Sequence, residues 1–290
     1  MGRRVGEVTD SATATLVVIG NCQAESLRLL LDSDDVETHR LPPVHELTAA
    51  DVGPLQDLLA RTDLFVGQPV GDDYRGLPVG TAQLVACLPP GARTALVPTV
   101  RYAGLHPHHL LVHPPGLEKP DPPVVPYHDV RTVLAAAGRP ALPPLTVEAV
   151  RAVADASVAE LARRERLHDT VPVSDLLARP VAGSMRTINH PGNVVLEPLA
   201  ARLREALGLE PRPPGVRREL LMSIHAPLLP EVVAAHGLDV PPTTAWTKDG
   251  GTITTEEVTE AHLAWYAARP EMLAAALARA EPVVALLGGS

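Results

Sequence analysis

Three short apolar runs, separated by stretches with helical spacing, constrain the fold of this chain more than any other feature. The runs are TLVVIG (Thr15 to Gly20), DLFVG (Asp63 to Gly67) and TALVPT (Thr94 to Thr99). The helical stretches between them are Gln23 to Leu31, Ala49 to Arg61 and Val79 to Cys87. Continuous apolar runs of this length are typical of strands buried on both faces. The alternation predicts an α/β fold built on a parallel sheet with crossover helices, and VETHRL (Val36 to Leu41) is a further candidate strand.

The later part of the chain has mostly helical spacing. This spacing covers Val147 to Leu167, Val194 to Leu207, Leu228 to Ala235, Glu256 to Ala268 and Glu271 to Leu287. Residues 99–130 are so rich in proline and histidine that we expect an extended surface loop there. We predict a single α/β domain over residues 1–290, with a sheet-forming part at 14–142 and a mostly helical part at 145–290 that completes the site.

Composition places the chain among globular proteins. Its 290 residues are 46% hydrophobic and 20% charged, which is enough to bury a full core. The net charge of −9 argues against a broad nucleic-acid surface. No run approaches the roughly 18 apolar residues of a membrane-spanning helix, and the N-terminus lacks the apolar core of a signal peptide. We therefore expect a cytoplasmic protein with no membrane insertion and no nucleic-acid partner.

One of the two cysteines lies directly after the first predicted strand, in the sequence GNCQ. Ligands of α/β sheets bind beyond the carboxyl ends of the strands, and this turn places Cys22 there. The positive end of the following helix would lower the pKa of the thiol and would suit an oxyanion. The side chains of Asn21 and Gln23 add amide groups beside it. The alternative, that Cys22 is a small buried residue closing the turn, stays open, whereas Cys87 is expected to be a packed core thiol.

A nucleophilic thiol needs a base, and the chain has twelve histidines. His190 in SMRTINHPGN and His106 in YAGLHPHH stand out by their context. His190 would serve equally as a turn residue bonded to the backbone. His108, His109 and His113 crowd the proline-rich segment, but no carboxylate or cysteine follows at a familiar ligand spacing, so we expect no metal.

A dense polar segment, GQPVGDDYRG, follows the third predicted strand. Its position predicts that Gln68, Asp73, Tyr74 and Arg75 reach the same sheet edge as the cysteine, with Arg75 suited to an anionic group. The alternative is a solvated turn in which Asp72 pairs with Arg75.

Taken together, these motifs resemble a known family. Gly20-Asn21-Cys22-Gln23, the Gln68 to Arg75 segment, VPTVRYAGLHP, PYHD and TINHP follow one another over Leu16 to Pro191. The set is similar to that of the WcbI-type family, which is associated with capsular polysaccharide biosynthesis and acetyl transfer. The resemblance implies a fold like that of the SGNH/GDSL esterases, a coenzyme A site and acyl transfer to a hydroxyl.

The resemblance also implies roles for residues of these motifs. Cys22 corresponds to the esterase nucleophile and His190 to the late histidine base. The chain departs from the esterases in lacking Gly-Asp-Ser and in having Thr187 three residues before His190, where the acid would stand. The candidates for coenzyme A are Gly20, Arg75 and Arg101. The candidates for the oxyanion or substrate are Asn21, Gln23, Gln68, Asp73, Tyr74, Arg75, His106, His128 and Asn189.

We expect an acyltransferase in which Cys22 attacks the thioester of an acyl-coenzyme A while His190 takes or holds its proton. Backbone N–H groups, with the amide of Asn21 or Gln68, would stabilise the oxyanion. In an alternative, His190 or His106 deprotonates an acceptor that attacks the thioester directly. A hydrolase of the esterase or thioesterase type, and a non-catalytic protein that binds coenzyme A or a nucleotide, are further alternatives. The expected partners are a small-molecule acyl donor, a sugar or metabolite acceptor, and a second copy of the chain in a homodimer.

Overall fold

A computed structural model describes residues 13–114, 121–213 and 216–289 of the chain. Their contacts divide them into two compact units. The first contains the described residues of Met1–Thr99, His168–Val171 and Leu196–Arg218, and the second those of Val100–Leu167, Pro172–Val195 and Glu219–Ser290. A single domain over the whole chain stays a prediction.

The first unit is built on a parallel sheet of four strands in the order β2-β1-β3-β4. The strands are β1 (Ala14–Ile19), β2 (Val36–Thr38), β3 (Leu64–Gly67) and β4 (Arg93–Leu96). The helices that connect them are α1 (Cys22–Leu31), α2 (Ala49–Leu59) and α3 (Thr81–Val85). The predicted α/β class, the parallel sheet and each of its strands are confirmed, whereas the likeness to SGNH hydrolases stays a prediction.

The apolar runs form strands here because helices cover the sheet. Val17, Ile19 and Phe65 pack in one buried cluster with Leu55 and Leu59 of α2. Burying a side chain of this size stabilises the fold by about 1.5–3 kcal/mol. Cys87 packs against the same cluster and its thiol donates to the carbonyl of Gln83, so the expected core role of Cys87 is confirmed.

The second unit combines helices with short antiparallel strands. Its strands are β5 (His109–Leu110), β6 (His128–Asp129), β7 (Met185–Thr187), β8 (His190–Pro191), β9 (Ile224–His225), β10 (Ala245–Lys248) and β11 (Gly251–Thr254). Its helices are α4 (Val130–Ala136), α5 (Val147–His168, its last residue in the first unit), α6 (Ser174–Leu177), α8 (Pro230–His236), α9 (Thr255–Ala267) and α10 (Pro270–Leu286). One further helix, α7 (Asn193–Ala206), begins in the second unit and ends in the first. The predicted helices of the later half are confirmed, but the strands β7 to β11 and the short helices α4 and α6 were not anticipated.

The prediction of a surface loop at residues 99–130 is wrong for most of its described residues. Tyr102, His106, His109 and Tyr127 are all buried, and β5 pairs with β6 inside this stretch. Prolines prevent long regular elements, but they do not prevent an irregular segment from packing into a core. Residues 115–120 of the stretch lie outside the described residues.

No helix within the described ranges is long and apolar enough to cross a membrane.

Candidate functional site

Cys22 is the first residue of α1, directly after the buried strand β1. Asn21 is the N-cap of this helix, and its side-chain Oδ1 accepts a hydrogen bond of 2.9 Å from the N–H of Gln23. The backbone N–H groups of Cys22 and Gln23 lie close enough to the Cys22 sulfur to act against the rise in its pKa. The first turn of α1 therefore presents donors and the positive helix end to the thiol, as the sequence predicts.

Gln68 ties the neighbouring strand end to this turn. Its Oε1 accepts a hydrogen bond of 2.8 Å from the N–H of Asn21, and its Nε2 donates to Oε1 of Gln23 at 3.3 Å. The approach requires glycine at position 20, because a Cβ on Gly20 would lie 2.5 Å from the Gln68 Oε1. Gly20, Asn21, Cys22, Gln23 and Gln68 are thus brought together in one hydrogen-bonded cluster, here called the thiol turn.

The expected lowering of the Cys22 pKa is wrong. Burial raises the pKa of the thiol, and this effect outweighs the opposing hydrogen bonds from the N–H groups of Cys22 and Gln23. The free energy of hydration that a thiolate loses on burial is larger than the stabilisation that it gains from two backbone N–H groups. In the protein as described, Cys22 is therefore a protonated thiol at neutral pH.

Asp73, Tyr74 and Arg75 lie around a short 3-10 turn, Tyr74–Gly76. Asp73 accepts a hydrogen bond of 2.8 Å from the Nε2 of Gln83. Tyr74 packs against the apolar cluster of the first unit. The guanidinium of Arg75 donates to the carbonyl of His45, which is a different arrangement from the Asp72 pair considered above. None of these contacts joins the thiol turn, so Gln68 is the residue of this segment that the structure places beside Cys22.

His190 belongs to the second unit, on β8. Burial lowers the pKa of its imidazole to about 4, and the positive charge of Arg186 and the nearby His225 lower it further. Its Nδ1 is buried and has no hydrogen-bond partner among the described residues. His190 is therefore a neutral imidazole at neutral pH, and no carboxylate in the described ranges orients it through that nitrogen.

Thr187, which stands where an esterase acid would be expected, belongs to a different network. Its hydroxyl lies 2.9 Å from the Tyr127 hydroxyl and 3.1 Å from Oδ1 of Asn189. The Tyr127 hydroxyl donates to the same Asn189 oxygen at 2.8 Å. The edge of the Tyr127 ring lies against His190, with ring centroids 6.4 Å apart. Asn189 thus joins a polar group near His190, which its position in TINHP suggested, whereas Tyr127 and Thr187 carried no predicted role.

His106 and His128 both lie in the interior of the second unit. The ring nitrogens of His106 face the carbonyls of Pro227 and Met185 at 3.2 and 3.4 Å. The Nδ1 of His128 lies 2.5 Å from the Tyr266 hydroxyl. These contacts crosslink segments far apart in sequence, so both imidazoles contribute to the packing of the second unit.

Arg101 lies in a group of positive charges that the sequence did not reveal. The packing around its guanidinium and the charges of Arg164 and Arg279 lower the pKa of Arg101. Two acids belong to this group: Glu160 pairs with Arg163 at 2.8 Å and with Arg164 at 3.6 Å, and Glu165 also acts on the charge of Arg164. No sequence motif links these arginines, because α5 and α10 bring them together only in the fold. Their excess of positive charge suits a phosphate.

The described residues contain no group of three or more histidine, cysteine or acidic side chains able to hold a metal ion. The predicted site residues fall into separate sets. The thiol turn belongs to the first unit, and the second unit contains His190 with Asn189, Arg101 with its arginine neighbours, and the packed His106 and His128.

Comparisons with known proteins agree with the sequence resemblance. A family model described as polysaccharide biosynthesis enzyme WcbI matches residues 15–212. No curated protein matches the chain. A solved structure described as WcbI, a novel polysaccharide biosynthesis enzyme, aligns with a TM-score of 0.69 at 19% identity, over 92% of this chain and 99% of the other. That structure is described as the native protein without a disulfide bond between coenzyme A and one of its cysteines. The likeness shows a shared fold, and the family match covers more than half of the sequence, so this chain belongs to the WcbI family of polysaccharide biosynthesis enzymes.

Proposed function

We propose that this protein is an acyltransferase, which moves an acyl group from an acyl-coenzyme A to a hydroxyl or amine of a sugar or small metabolite. The observation that carries the proposal is the thiol turn, in which Cys22 is the first residue of a helix and lies at the positive helix end. The backbone N–H of Cys22, together with the positive end of the helix, would stabilise the oxyanion that forms when a thioester is attacked beside the sulfur. The proposal includes the SGNH-esterase-like arrangement that the motifs imply.

Two observations support coenzyme A as the acyl carrier. The solved relative is described in terms of coenzyme A and a cysteine, and this chain has a cysteine at the turn where ligands of α/β sheets bind. The arginines around Arg101 offer positive charge for the phosphates of such a donor. We propose that Arg101 contributes to phosphate binding and that Gly20 allows the backbone of the thiol turn to approach the thioester.

In the proposed reaction, the Cys22 sulfur forms a bond to the thioester carbon as its proton passes to the imidazole of His190. The bond between that carbon and the sulfur of coenzyme A breaks, and the leaving sulfur takes from His190 the proton that came from Cys22. An acceptor hydroxyl or amine then gives its proton to His190 and attacks the acyl group on Cys22. The bond between the acyl carbon and the Cys22 sulfur breaks, and the sulfur takes the proton from His190. The thiol and the neutral imidazole of the starting state are thereby restored.

The pKa shifts favour one version of this chemistry. Burial raises the pKa of Cys22 and lowers that of His190, so a resting thiolate–imidazolium pair is disfavoured from both sides. We therefore propose that the proton moves during the attack rather than before it. Because His190 is neutral at pH 7, it is in the protonation state that a general base requires.

Intact-protein mass spectrometry after mixing with acetyl-coenzyme A and longer acyl thioesters tests the proposal. We expect an acyl mass increment on the wild type and on Cys87→Ala, and none on Cys22→Ala. Cys87→Ala is the matched control, since it removes the other cysteine of the chain.

A direct-transfer mechanism is the second candidate, and the raised pKa of Cys22 is the observation that favours it. In that mechanism His190 or His106 deprotonates the acceptor and no acyl-enzyme forms. Full activity of Cys22→Ser without an adduct would support it. Acyl release without any acceptor would instead indicate a thioesterase, and binding of coenzyme A without turnover would indicate a non-catalytic protein.

A further inference from the structure

The second unit contains a cavity of about 200 Å³ that the proposed reaction of Cys22 with His190 does not use. Its wall includes His108, His109, Asp129, Arg131, Trp246 and Thr259. The ring of His109 stacks on that of Trp246, with centroids 4.8 Å apart. The cavity therefore has one aromatic wall beside a group of polar side chains.

The buried charges in this wall are balanced. The guanidinium of Arg131 donates to both oxygens of Asp129, at 3.0 and 2.6 Å. Asp129 is only 9% exposed, and Arg131 lowers the pKa of its carboxyl to about 2 against the effect of burial. The pair is thus fully ionised at neutral pH, and it leaves the buried part of the wall with no excess of either sign. Glu256 also lines the cavity, but this residue is exposed, so solvent screens its charge.

The two histidines of the wall are neutral. Burial lowers the pKa of His108 to about 4 and that of His109 to about 3. The Nδ1 of each is buried without a hydrogen-bond partner in the described part of the chain. The Nε2 of His109 lies 3.9 Å from Oδ2 of Asp129, which is beyond hydrogen-bond distance. A neutral imidazole has one donor and one acceptor nitrogen. Because the Nδ1 atoms are sealed from solvent, the Nε2 of each ring is the nitrogen left to serve a ligand in the cavity.

We infer that this cavity binds one neutral ring rich in hydroxyl groups, of the size of a hexopyranose. The identification of that ring with the acyl acceptor rests on the proposed function, whereas the binding itself does not.

Charge balance and size both support a neutral ring. A buried charged ligand would need a counter-charge, but the carboxylate and guanidinium of the wall already satisfy one another. Hydroxyl groups need both donors and acceptors, which neutral imidazoles, threonine hydroxyls and the remaining lone pair of Asp129 supply. The volume is below the roughly 300–1,000 Å³ of sites for drug-sized ligands, so it suits a single ring.

The two tryptophans of the chain provide a direct test. In ¹H–¹⁵N spectra of the whole protein, titrated with methyl gluco-, manno- and galactopyranosides, we expect the indole signal of Trp246 to shift and saturate with at least one of them. The signal of Trp265, which is not part of the cavity wall, should stay in place. Glucuronate and glucosamine, which carry a charge, should bind more weakly than the neutral sugar.

Variants separate binding in the cavity from other effects. Thr259→Phe fills the cavity from the partly exposed face of α9 and should abolish the shift. Asp129→Asn keeps a helix-capping side chain but loses the charged acceptor, and should weaken binding by about tenfold. Asp121→Asn is the matched control, because it removes an exposed carboxylate that pairs with His113 outside the cavity wall, and it should bind as the wild type does.

Absence of any saturable shift, equal shifts of both tryptophans, or tighter binding of a charged sugar would overturn the inference. The titration uses no coenzyme A and no turnover, so it is independent of the acyl-transfer test. Sugar binding in a protein that never transfers an acyl group would leave this inference standing and remove the proposed function. Acyl transfer to a sugar that never shifts the indole signal of Trp246 would support the proposed function and overturn this inference.

Discussion

The thiol turn of the first unit and the histidine-rich interior of the second unit use polar side chains in opposite ways. At the thiol turn, Asn21, Gln23 and Gln68 hydrogen-bond with one another and with the backbone. In the second unit, His108 and His109 are buried with ring nitrogens that have no partner among the described residues. The first arrangement fixes the position of a reactive atom, whereas the second retains unpaired groups at a cost in stability.

Burial acts on both regions in the same direction, toward the uncharged form of each group. It raises the pKa of Cys22 and lowers the pKa of His106, His108 and His109. The two regions therefore differ in how their buried polar groups are hydrogen-bonded, and not in the direction in which the loss of hydration shifts their pKa values.

Acid should destabilise the second unit most strongly. The folded pKa of His106 is about 4, below the roughly 6.5 of an unfolded chain. Stability from such a group is present above about pH 6.5 and is lost as the pH falls toward 4, by up to about 3 kcal/mol for each buried histidine. Urea unfolding followed by tryptophan fluorescence at pH 7.5, 6, 5 and 4.5 measures this, since both tryptophans belong to the second unit. Constant stability over this range would contradict the prediction.

Apolar replacements should separate the two regions at neutral pH. Gln68→Met removes the acceptor of the Asn21 N–H. It should lower the free energy of unfolding by about 2–3 kcal/mol, because it leaves buried polar groups unpaired. His109→Phe removes an imidazole that makes no hydrogen bond to a described residue and should change stability by less than about 1 kcal/mol. Circular dichroism during urea unfolding at pH 7.5 compares them. If both variants lost the same free energy of unfolding, the hydrogen-bonded Gln68 and the unpaired His109 would contribute equally to stability, and the prediction would be wrong.

The cap of α1 should make a smaller contribution. Asn21→Ala removes the side-chain acceptor of the Gln23 N–H and should destabilise the protein by about 1 kcal/mol. Asn21→Asp keeps a capping oxygen and is the matched control, which should retain wild-type stability within about 0.5 kcal/mol. The urea midpoints of the two variants measure this difference in stability. If Asn21→Asp were destabilised as much as Asn21→Ala, the effect would not come from the helix cap.

The thiol itself should show the smallest effect, a change in rate. In a Cys87→Ala background, iodoacetamide should alkylate Cys22 several times more slowly at pH 7 than it alkylates a free cysteine, whose pKa is about 8.5. The rate should keep rising at pH values where a free cysteine has reached its plateau, because burial raises the pKa of Cys22. A rate that is already constant near pH 7 would mean that the helix N-terminus outweighs burial.

The sequence predicted the first unit well because its signals are local. Runs such as Thr15 to Gly20 are apolar over their whole length, and only a strand covered on both faces buries such a run. The position of Cys22 then follows from the strand–helix order. The raised pKa of Cys22 did not follow, since it depends on how completely neighbouring residues exclude water, and no spacing in the sequence reports that.

The second unit was harder to predict because its strands are two to four residues long and its contacts join distant segments. His128 meets Tyr266, and His106 meets the carbonyl of Pro227. Proline in residues 99–130 suggested exposure, whereas aromatic contacts such as that of Tyr127 with Trp246 bury part of this stretch. The grouping of Arg101 with Arg164 and Arg279 likewise arises only when two helices have packed.

The contact between Gly20 and Gln68 also predicts how this family can vary. A Cβ at position 20 would occupy the space of the Gln68 side chain, so a relative with any larger residue there needs a shorter or redirected side chain at position 68. The two positions should therefore change together during evolution. A family member in which glycine has been replaced while the glutamine is retained should have turned that side chain away, and it should have lost the hydrogen bond from the Asn21 N–H that helps to fix the turn before the cysteine.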